Sequence, residues 1–294
     1  MSTSILVCNR HAGASTEDGL ARVLTALGRF GPVVVVETTP GGAAQYLGSR
    51  LHADVERVYV FGGDGTVGDV AGALRRSDIP IGVIPSGTTN VLARECRIPL
   101  EPWKAVQALG PSHRTRRFQT WSTGSGTLLL GLGVGFDARL MWRTSLAAKR
   151  RWGLFAVALT GLREALRYEF PRIEIQGEDA TGHDFGAEGT FVLVGNTERW
   201  AGDGIMMPGA DPSDDLLDVL VFSSRRRADL TAFWALAGLR GSRHLRVPGV
   251  RIVRARRLDI DSSEGVEVHI NGDPHSRTPV RLVPSGPVQM IVPA

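Results

Sequence analysis

Val58-Tyr59-Val60-Phe61-Gly62-Gly63-Asp64-Gly65-Thr66-Val67-Gly68-Asp69-Val70 passes from a strand pattern to a helix pattern through three glycines and one acid. Residues 58–61 form an apolar run of strand length. From Thr66 onward, Val67, Val70, Ala71 and Leu74 recur at helical spacing. At the carboxyl end of a parallel strand, the following helix presents free N–H groups and the positive end of its dipole. The glycines permit positive φ and a close backbone approach to phosphate. Asp64 repels a phosphate, so it needs a magnesium ion, a water or a substrate hydroxyl as partner. That combination points to phosphoryl transfer rather than passive anion binding. The alternative is a tight strand-to-helix turn with a capping Asp.

The flanking sequence repeats the alternation. Residues 5–8, 33–36 and 81–84 are short apolar runs, and the continuous 33–36 run suits a strand buried on both faces. Ser15-x-x-Asp18 reads as a capping box ahead of Leu20, Val23, Leu24 and Leu27. Ala43, Ala44, Leu47 and Leu51 fit another helix, and residues 88–96 a short one. This predicts an α/β domain with a mostly parallel sheet. After about residue 114 the texture changes. Strands are expected at 118–121, 127–130, 172–175, 190–194, 217–222, 250–253, 257–260 and 266–270, with one helix over 146–168. Many short strands separated by turns predict a mainly antiparallel β domain. The boundary is placed at residue 124, within Ser122-Thr123-Gly124-Ser125-Gly126.

Composition excludes several classes. The 294 residues suffice for two domains, and 43% hydrophobic with 22% charged residues is ordinary for a globular protein. No apolar run approaches the ~20 residues needed to span a bilayer, and the first residues lack a signal-peptide pattern, so a cytoplasmic protein is expected. Cys8 and Cys96 give neither a disulfide framework nor zinc spacing, and Cys8 reads as a small core residue. The histidines show no His-Glu-x-x-His pattern. There is no Gly-x-Ser-x-Gly elbow and no Gly-x4-Gly-Lys-Ser/Thr loop. The net charge of +4, carried almost wholly by arginine, suits an anionic partner or simply a solvated surface.

A second turn, Pro85-Ser86-Gly87-Thr88-Thr89-Asn90, again joins a strand to a helix. In an open α/β sheet both turns fall on the rim where ligands bind. Thr88 and Asn90 carry donors suited to phosphate or nucleoside, although Thr88 also suits a helix cap. Residues 62–70 and 85–94 together resemble the two signatures of the diacylglycerol-kinase-type catalytic domain, a family of bacterial lipid kinases similar to sphingosine and ceramide kinases. The first turn alone resembles those of NAD kinases and phosphofructokinases. Asn9-Arg10-His11-Ala12-Gly13 resembles the family's opening nucleotide loop, and Gly133-x-Gly135-Phe136-Asp137 its glycine segment after the domain crossover. Residues 211–218 resemble its Asp-Gly-x-Leu-Asp segment, and Asn271-Gly272-Asp273-Pro274 its late Asp-Gly-Glu-Pro turn.

The resemblance implies a nucleotide domain over 1–124, rejoined by a last strand in 286–294, and a β-sandwich lipid domain over 125–285. It implies ATP as phosphoryl donor with Mg2+. Asn9, Arg10, His11, Ala12 and Gly13, then Gly63, Asp64, Gly65, Thr66, Val67, Gly68 and Asp69, and Thr88 would hold the nucleotide, with Gly62, Gly87 and Asn90 completing the two turns. Thr38 is added although its spacing aligns less cleanly. Asp214, with backbone carbonyls near Asp211 and Leu216, would hold a structural magnesium, for which hard oxygen ligands are suitable; an exposed acidic turn is the alternative. The chain departs from the pattern where Asn271 and Asp273 replace Asp and Glu. Asn271 cannot accept a proton as a carboxylate does, so Asp273 is taken as the base for the acceptor hydroxyl, with Asp64 second. Arg10 and His11 stand where the opening loop usually has Pro and Ser.

Lys149-Arg150-Arg151-Trp152 precedes Leu154, Phe155, Ala158, Leu162 and Leu166 at helical spacing. This reads first as a core-facing amphipathic helix with a solvated basic start, and second as a helix resting on an anionic membrane. The expected activity is an ATP-dependent lipid kinase acting on a hydroxyl of a diacylglycerol-like or sphingoid lipid at the membrane surface. No nucleic-acid partner is expected, and both a homodimer and peripheral membrane association are allowed for. A non-catalytic nucleotide- or lipid-binding module and an NAD-kinase-like enzyme are the alternatives.

Overall fold

The inner strands of the N-terminal sheet are apolar runs buried on both faces, whereas the 33–36 run, expected to be buried likewise, is the edge strand and leaves Val34 and Val35 exposed. The computed structural model describes residues 3–10, 16–38, 47, 51, 54–110, 114–144, 154–237, 239 and 241–294. His11, Ala12, Gly13, most of the 43–51 segment and the basic cluster at 149–152 lie outside the described residues. The chain divides into two units, Met1–Thr120 with Ser285–Ala294, and Trp121–Pro284.

The first unit contains β1 (Thr3–Cys8), α1 (Glu17–Leu27), β2 (Val33–Glu37), β3 (Val55–Gly62), α2 (Asp64–Leu74), β4 (Ile81–Pro85), α3 (Val91–Glu95), α4 (Pro102–Ala108) and most of β5 (Arg114–Ser122). Strands β2, β1, β3 and β4 pair in that order, all parallel. Thr16, not Ser15, caps α1, its side chain accepting from the Gly19 N–H at 3.1 Å. Pro at the first position of α4 uses a site where no N–H is needed. Both cysteines are buried in this unit, and burial pushes the Cys96 thiol up to about 12, so neither is primed as a nucleophile.

The second unit contains β6 (Thr127–Leu128), β7 (Gly131–Val134), α5 (Phe136–Arg143), α6 (Leu154–Arg167), β8 (Ile173–Asp179), β9 (Asp184–Gly189), β10 (Phe191–Gly195), β11 (Arg199–Trp200), β12 (Gly204–Ile205), β13 (Leu217–Phe222), α7 (Arg227–Ala237), β14 (Val250–Asp261), β15 (Glu267–Ile270), β16 (Asp273–Arg277) and the start of β17 (Val280–Val292). Its main pairings are antiparallel, running β16, β15, β7, β10, β13, β14. Alternation along β10 and β13 explains their unbroken apolar runs. Val192, Val194, Val219 and Val221 enter one core with Trp121 and Leu258, while Phe191, Leu193, Leu220 and Phe222 enter another with Phe136, Tyr168 and Phe233. Each face of the sheet is thus covered.

The helices at 102–108 and 227–237 and the strands at 131–134, 184–189 and 273–277 are not expected from the sequence, and other elements differ in extent or orientation. Residues 250–261 form one strand rather than two, because Arg254, Arg256 and Arg257 lie in a ladder with one solvated face and a register shift near Ala255. A helix, α5, starts directly after Gly135, whose φ of 89° suits glycine. On α6, four apolar side chains expected to face the core point the other way. Phe155, Ala158, Leu162 and Leu166 are exposed, while Glu164 and Ala165 are buried. Among the described residues, no helix is long and apolar enough to cross a membrane.

Strand β17 serves both units. Leu282 pairs with Leu258 of β14 in the second, and Met290 pairs in parallel with Ile81 of β4 in the first. Within the first unit, Thr120 Oγ1 lies 2.8 Å from Ser285 Oγ and donates to the Gly286 carbonyl at 2.6 Å, tying the two ends of that unit's crossings together.

Candidate functional site

In the first unit, the carboxyl ends of β1, β2, β3 and β4 share one rim, because parallel pairing aligns them. Asn9 follows β1, Thr38 follows β2, Gly63 follows β3 and Ser86 follows β4. Asn9 Nδ2 donates to Thr66 Oγ1 at 2.9 Å, fixing the opening loop to the first turn of α2. Thr38 enters through its backbone, its N–H bonded to the Cys8 carbonyl at 2.9 Å. Arg10 sits between Glu37 at 2.7 Å and Glu17 at 3.4 Å, so its charge is already countered on the exposed edge of the rim.

The two glycine turns are packed on one another. The Ser86 N–H donates to the Gly62 carbonyl at 3.0 Å. A Cβ on Gly87 would lie 2.8 Å from Gly63 Cα, so no other residue fits without moving the turn. Gly62 similarly makes room for Thr66, which a Cβ would meet at 2.8 Å. Asn90, at φ 47°, closes the second turn by accepting from the Gly87 N–H and donating to its carbonyl, both at 2.9 Å. Its amide is therefore spent on the loop. Thr88 is exposed, as is Asp69, whereas Val67 and Gly68 are buried and belong to the packing of α2. Gly63 caps α2 without a side-chain bond. The opening N–H groups of α2, around Asp64, Gly65 and Thr66, thus form the polar floor of the rim.

Asp64 has a partner that the sequence reading did not name. Its Oδ2 accepts from the Val91 N–H at 2.9 Å and the Thr89 hydroxyl at 3.3 Å, and its Oδ1 from the Leu92 N–H at 3.0 Å. These donors belong to the start of α3, a helix whose own cap residue makes no side-chain cap bond. Buried N–H groups require an acceptor, and a carboxylate one β-α unit upstream supplies it.

In the second unit, Asn271 and Gly272 have φ of 51° and 87°, and Ile270 pairs with Asp273 across them. This is a two-residue hairpin of the type that Asn-Gly favours. The Asn271 side chain does more. Its Oδ1 accepts from the Leu129 and Leu130 N–H groups at 3.0 and 2.9 Å, and its Nδ2 donates to the Thr127 carbonyl at 2.8 Å. A carboxylate cannot make the third bond. Asp273, at the head of β16, is exposed.

The acidic segment 211–218 is a closed turn. Asp211 Oδ1 accepts from the Ser213 N–H at 3.0 Å and hydroxyl at 2.8 Å, and Asp214 Oδ1 from the Leu216 N–H at 3.1 Å. Asp214 Oδ2 is bonded to Arg254, whose Nε also lies 3.8 Å from Asp218. Burial, reinforced by Asp214 and opposed by Arg254, pushes the Asp218 carboxyl up to about 6. Among the described residues, no three His, Cys, Asp or Glu side chains gather as a metal set. The Asp214 carboxylate expected to hold magnesium is thus engaged by the Leu216 N–H and the Arg254 guanidinium.

A buried polar group escaped the sequence reading. Asp137 Oδ2 lies 2.6 Å from His269 Nε2 and accepts from Trp200 Nε1 at 3.2 Å. The alternating glycines of β7 carry the signal: a Cβ on Gly131 would strike Trp200 at 2.3 Å, and one on Gly133 would strike His269 at 2.4 Å. His269 precedes the Asn271 turn by two residues, so this group fixes the strand that delivers the turn.

Comparison with known proteins agrees with the architecture. Residues 3–121 match the diacylglycerol kinase catalytic domain, and residues 132–293 match the YegS C-terminal NAD kinase beta sandwich-like domain. The chain is 30% identical over 262 residues to the Probable lipid kinase YegS-like protein of Pseudomonas aeruginosa, covering 86% of this chain and 82% of that protein. It is 28% identical over 259 residues to a Mycobacterium tuberculosis protein named Diacylglycerol kinase, covering 82% and 79%. A crystal structure from Bacillus anthracis str. Sterne shares the fold with TM-score 0.80 at 20% identity, over 99% of this chain and 97% of that one. Another from the same source, described as a diacylglycerol kinase, gives 0.73 at 20% identity over the same shares. The paired domain matches and the Pseudomonas relative make this chain a member of the diacylglycerol-kinase-like family of lipid kinases.

Proposed function

We propose that the chain transfers the γ-phosphoryl group of ATP to a hydroxyl of a diacylglycerol-like or sphingoid lipid. The observation that carries this reading is the pair of interlocked glycine turns beside a helix start with no side-chain cap. The N–H groups of α2 bind phosphate oxygens there, supported by the helix dipole. Asn9, through Thr66, holds the opening loop against that floor. Asp64 is a positioning residue, which keeps the Gly87 turn in place by anchoring α3. Asp273 is assigned the proton of the acceptor hydroxyl, from a turn whose geometry Asn271 and Gly272 set. The acceptor oxygen bonds to phosphorus as the bond to the ADP leaving oxygen breaks, and the hydroxyl proton passes to Asp273. Magnesium neutralises phosphate charge in such transfers; no step is drawn through the 211–218 turn.

Asn271 first suggested a non-catalytic binding module. Its amide bonds give the residue a structural task of its own, which weakens that alternative. The deciding measurement is transfer of labelled phosphate from γ-labelled ATP to a panel of diacylglycerols, ceramides and sphingoid bases. Labelled lipid from the wild type, lost in Asp273→Ala with ATP affinity retained, is the expected result. Saturable ATP binding with no labelled lipid from either wild type or Asn271→Asp would overturn the kinase reading. NADP formation from NAD in the same preparation would favour the NAD-kinase-like alternative.

A further inference from the structure

The outward face of α6 is apolar where a helix of a globular protein is normally polar. Phe155, Leu159, Leu162 and Leu166 are 65%, 43%, 61% and 69% exposed. At 3.6 residues per turn these positions fall on one line along the helix. The inward face is already filled, since Ala165 belongs to the aromatic core and Val157 packs against it. Arg163 and Arg167 are both exposed and border the stripe on one side. The helix contains a single acid, Glu164, which is buried and paired with Arg139 at 2.6 Å. Every exposed charge on α6 is therefore positive, and the sequence just before the helix is Lys149-Arg150-Arg151-Trp152.

We infer that the Leu159, Leu162 and Leu166 stripe of α6, edged by Arg163 and Arg167, docks on an anionic membrane surface. The apolar side chains enter the boundary between headgroups and acyl chains, and the guanidinium groups stay at headgroup level on their apolar stems. Charge complementarity selects this occupant. A second copy of the chain would bring arginines against arginines, with no exposed acid on α6 to pair them. The choice of a lipid partner rests on the lipid-kinase reading, and the docking itself is measured without catalysis.

The test is sedimentation of the full chain with vesicles of phosphatidylcholine alone or mixed equally with phosphatidylglycerol. The wild type is expected to bind the mixed vesicles and to be released by high salt. Leu162→Gln/Leu166→Gln should lower that partitioning on the order of tenfold or more. Arg163→Gln/Arg167→Gln should lower it roughly tenfold on mixed vesicles and leave pure phosphatidylcholine unchanged. Circular dichroism verifies that both variants are folded. Absence of wild-type binding, or equal binding by wild type and both variants, would overturn the inference. So would a wild-type dimer in light scattering that Leu162→Gln/Leu166→Gln converts to monomer. If the kinase reading alone is wrong, no lipid is phosphorylated in detergent micelles, yet the vesicle results stand.

Discussion

Removing the Asp64 carboxylate separates its two candidate roles. In the structure it accepts the Val91 and Leu92 N–H groups at 2.9 and 3.0 Å, and the Thr89 hydroxyl at 3.3 Å. Leu92 is fully buried and Val91 is 8% exposed, so water replaces the lost acceptor poorly. Loss of a helix cap costs about 0.5–2 kcal/mol. Loss of a negative charge at a helix N-terminus adds about 0.3–1 kcal/mol. Asp64→Ala is therefore expected to destabilise the first unit by about 2 kcal/mol. Asp64→Asn keeps one acceptor oxygen and should lose about half as much. Urea unfolding, followed by a probe in the first unit, gives the stability, and labelled-phosphate transfer gives the activity. Because Asp64 acts through the position of Gly87, the Asn variant should lose ATP affinity more than turnover at saturating ATP. The reasoning is refuted if both variants unfold like the wild type while phosphoryl transfer is abolished at saturating ATP. That result would make the carboxylate a participant in the chemistry.

Asn271→Asp should cost about 1–3 kcal/mol in urea unfolding, because an oxygen would replace the amide that donates to Thr127; a variant as stable as the wild type contradicts that role. Gly87→Ala puts a Cβ 2.8 Å from Gly63 Cα and should cost about 1–3 kcal/mol, with weakened ATP binding by calorimetry. Asp218 has a folded pKa of about 6, above the usual ~3.9 of an unfolded chain. The native state then binds the extra proton between these values, so its contribution to stability falls as pH rises from about 4 to 6. Asp218→Asn should remove that slope and stabilise the protein by about 1–2 kcal/mol at pH 7, with no gain near pH 4; thermal melts across that range with identical slopes for both proteins would refute it.

The strand-glycine-helix alternation was legible because its cause is local. Parallel strands buried on both faces need unbroken apolar runs, and Gly62, Gly63 and Gly87 mark where backbones approach. What stayed hidden depended on distant partners. Nothing near Asp64 in sequence announces that its acceptors serve residues 91 and 92. Asn271 looked like a catalytic loss because its partners, Thr127, Leu129 and Leu130, lie some 140 residues upstream. The outward stripe of α6 has the same periodicity as an inward one. Only the filling of the opposite face by Val157 and Ala165 tells them apart.

The shared strand β17 imposes an order of assembly. The residues of the second unit are contiguous in the chain, whereas Met290, the partner of Ile81, is made only after them. During synthesis the β4 edge of the parallel sheet therefore waits without that neighbour for some two hundred residues. An open edge of apolar strand is a site of intermolecular pairing. A chain interrupted before Met290 is therefore expected to leave that edge unpaired and to self-associate more than the full chain.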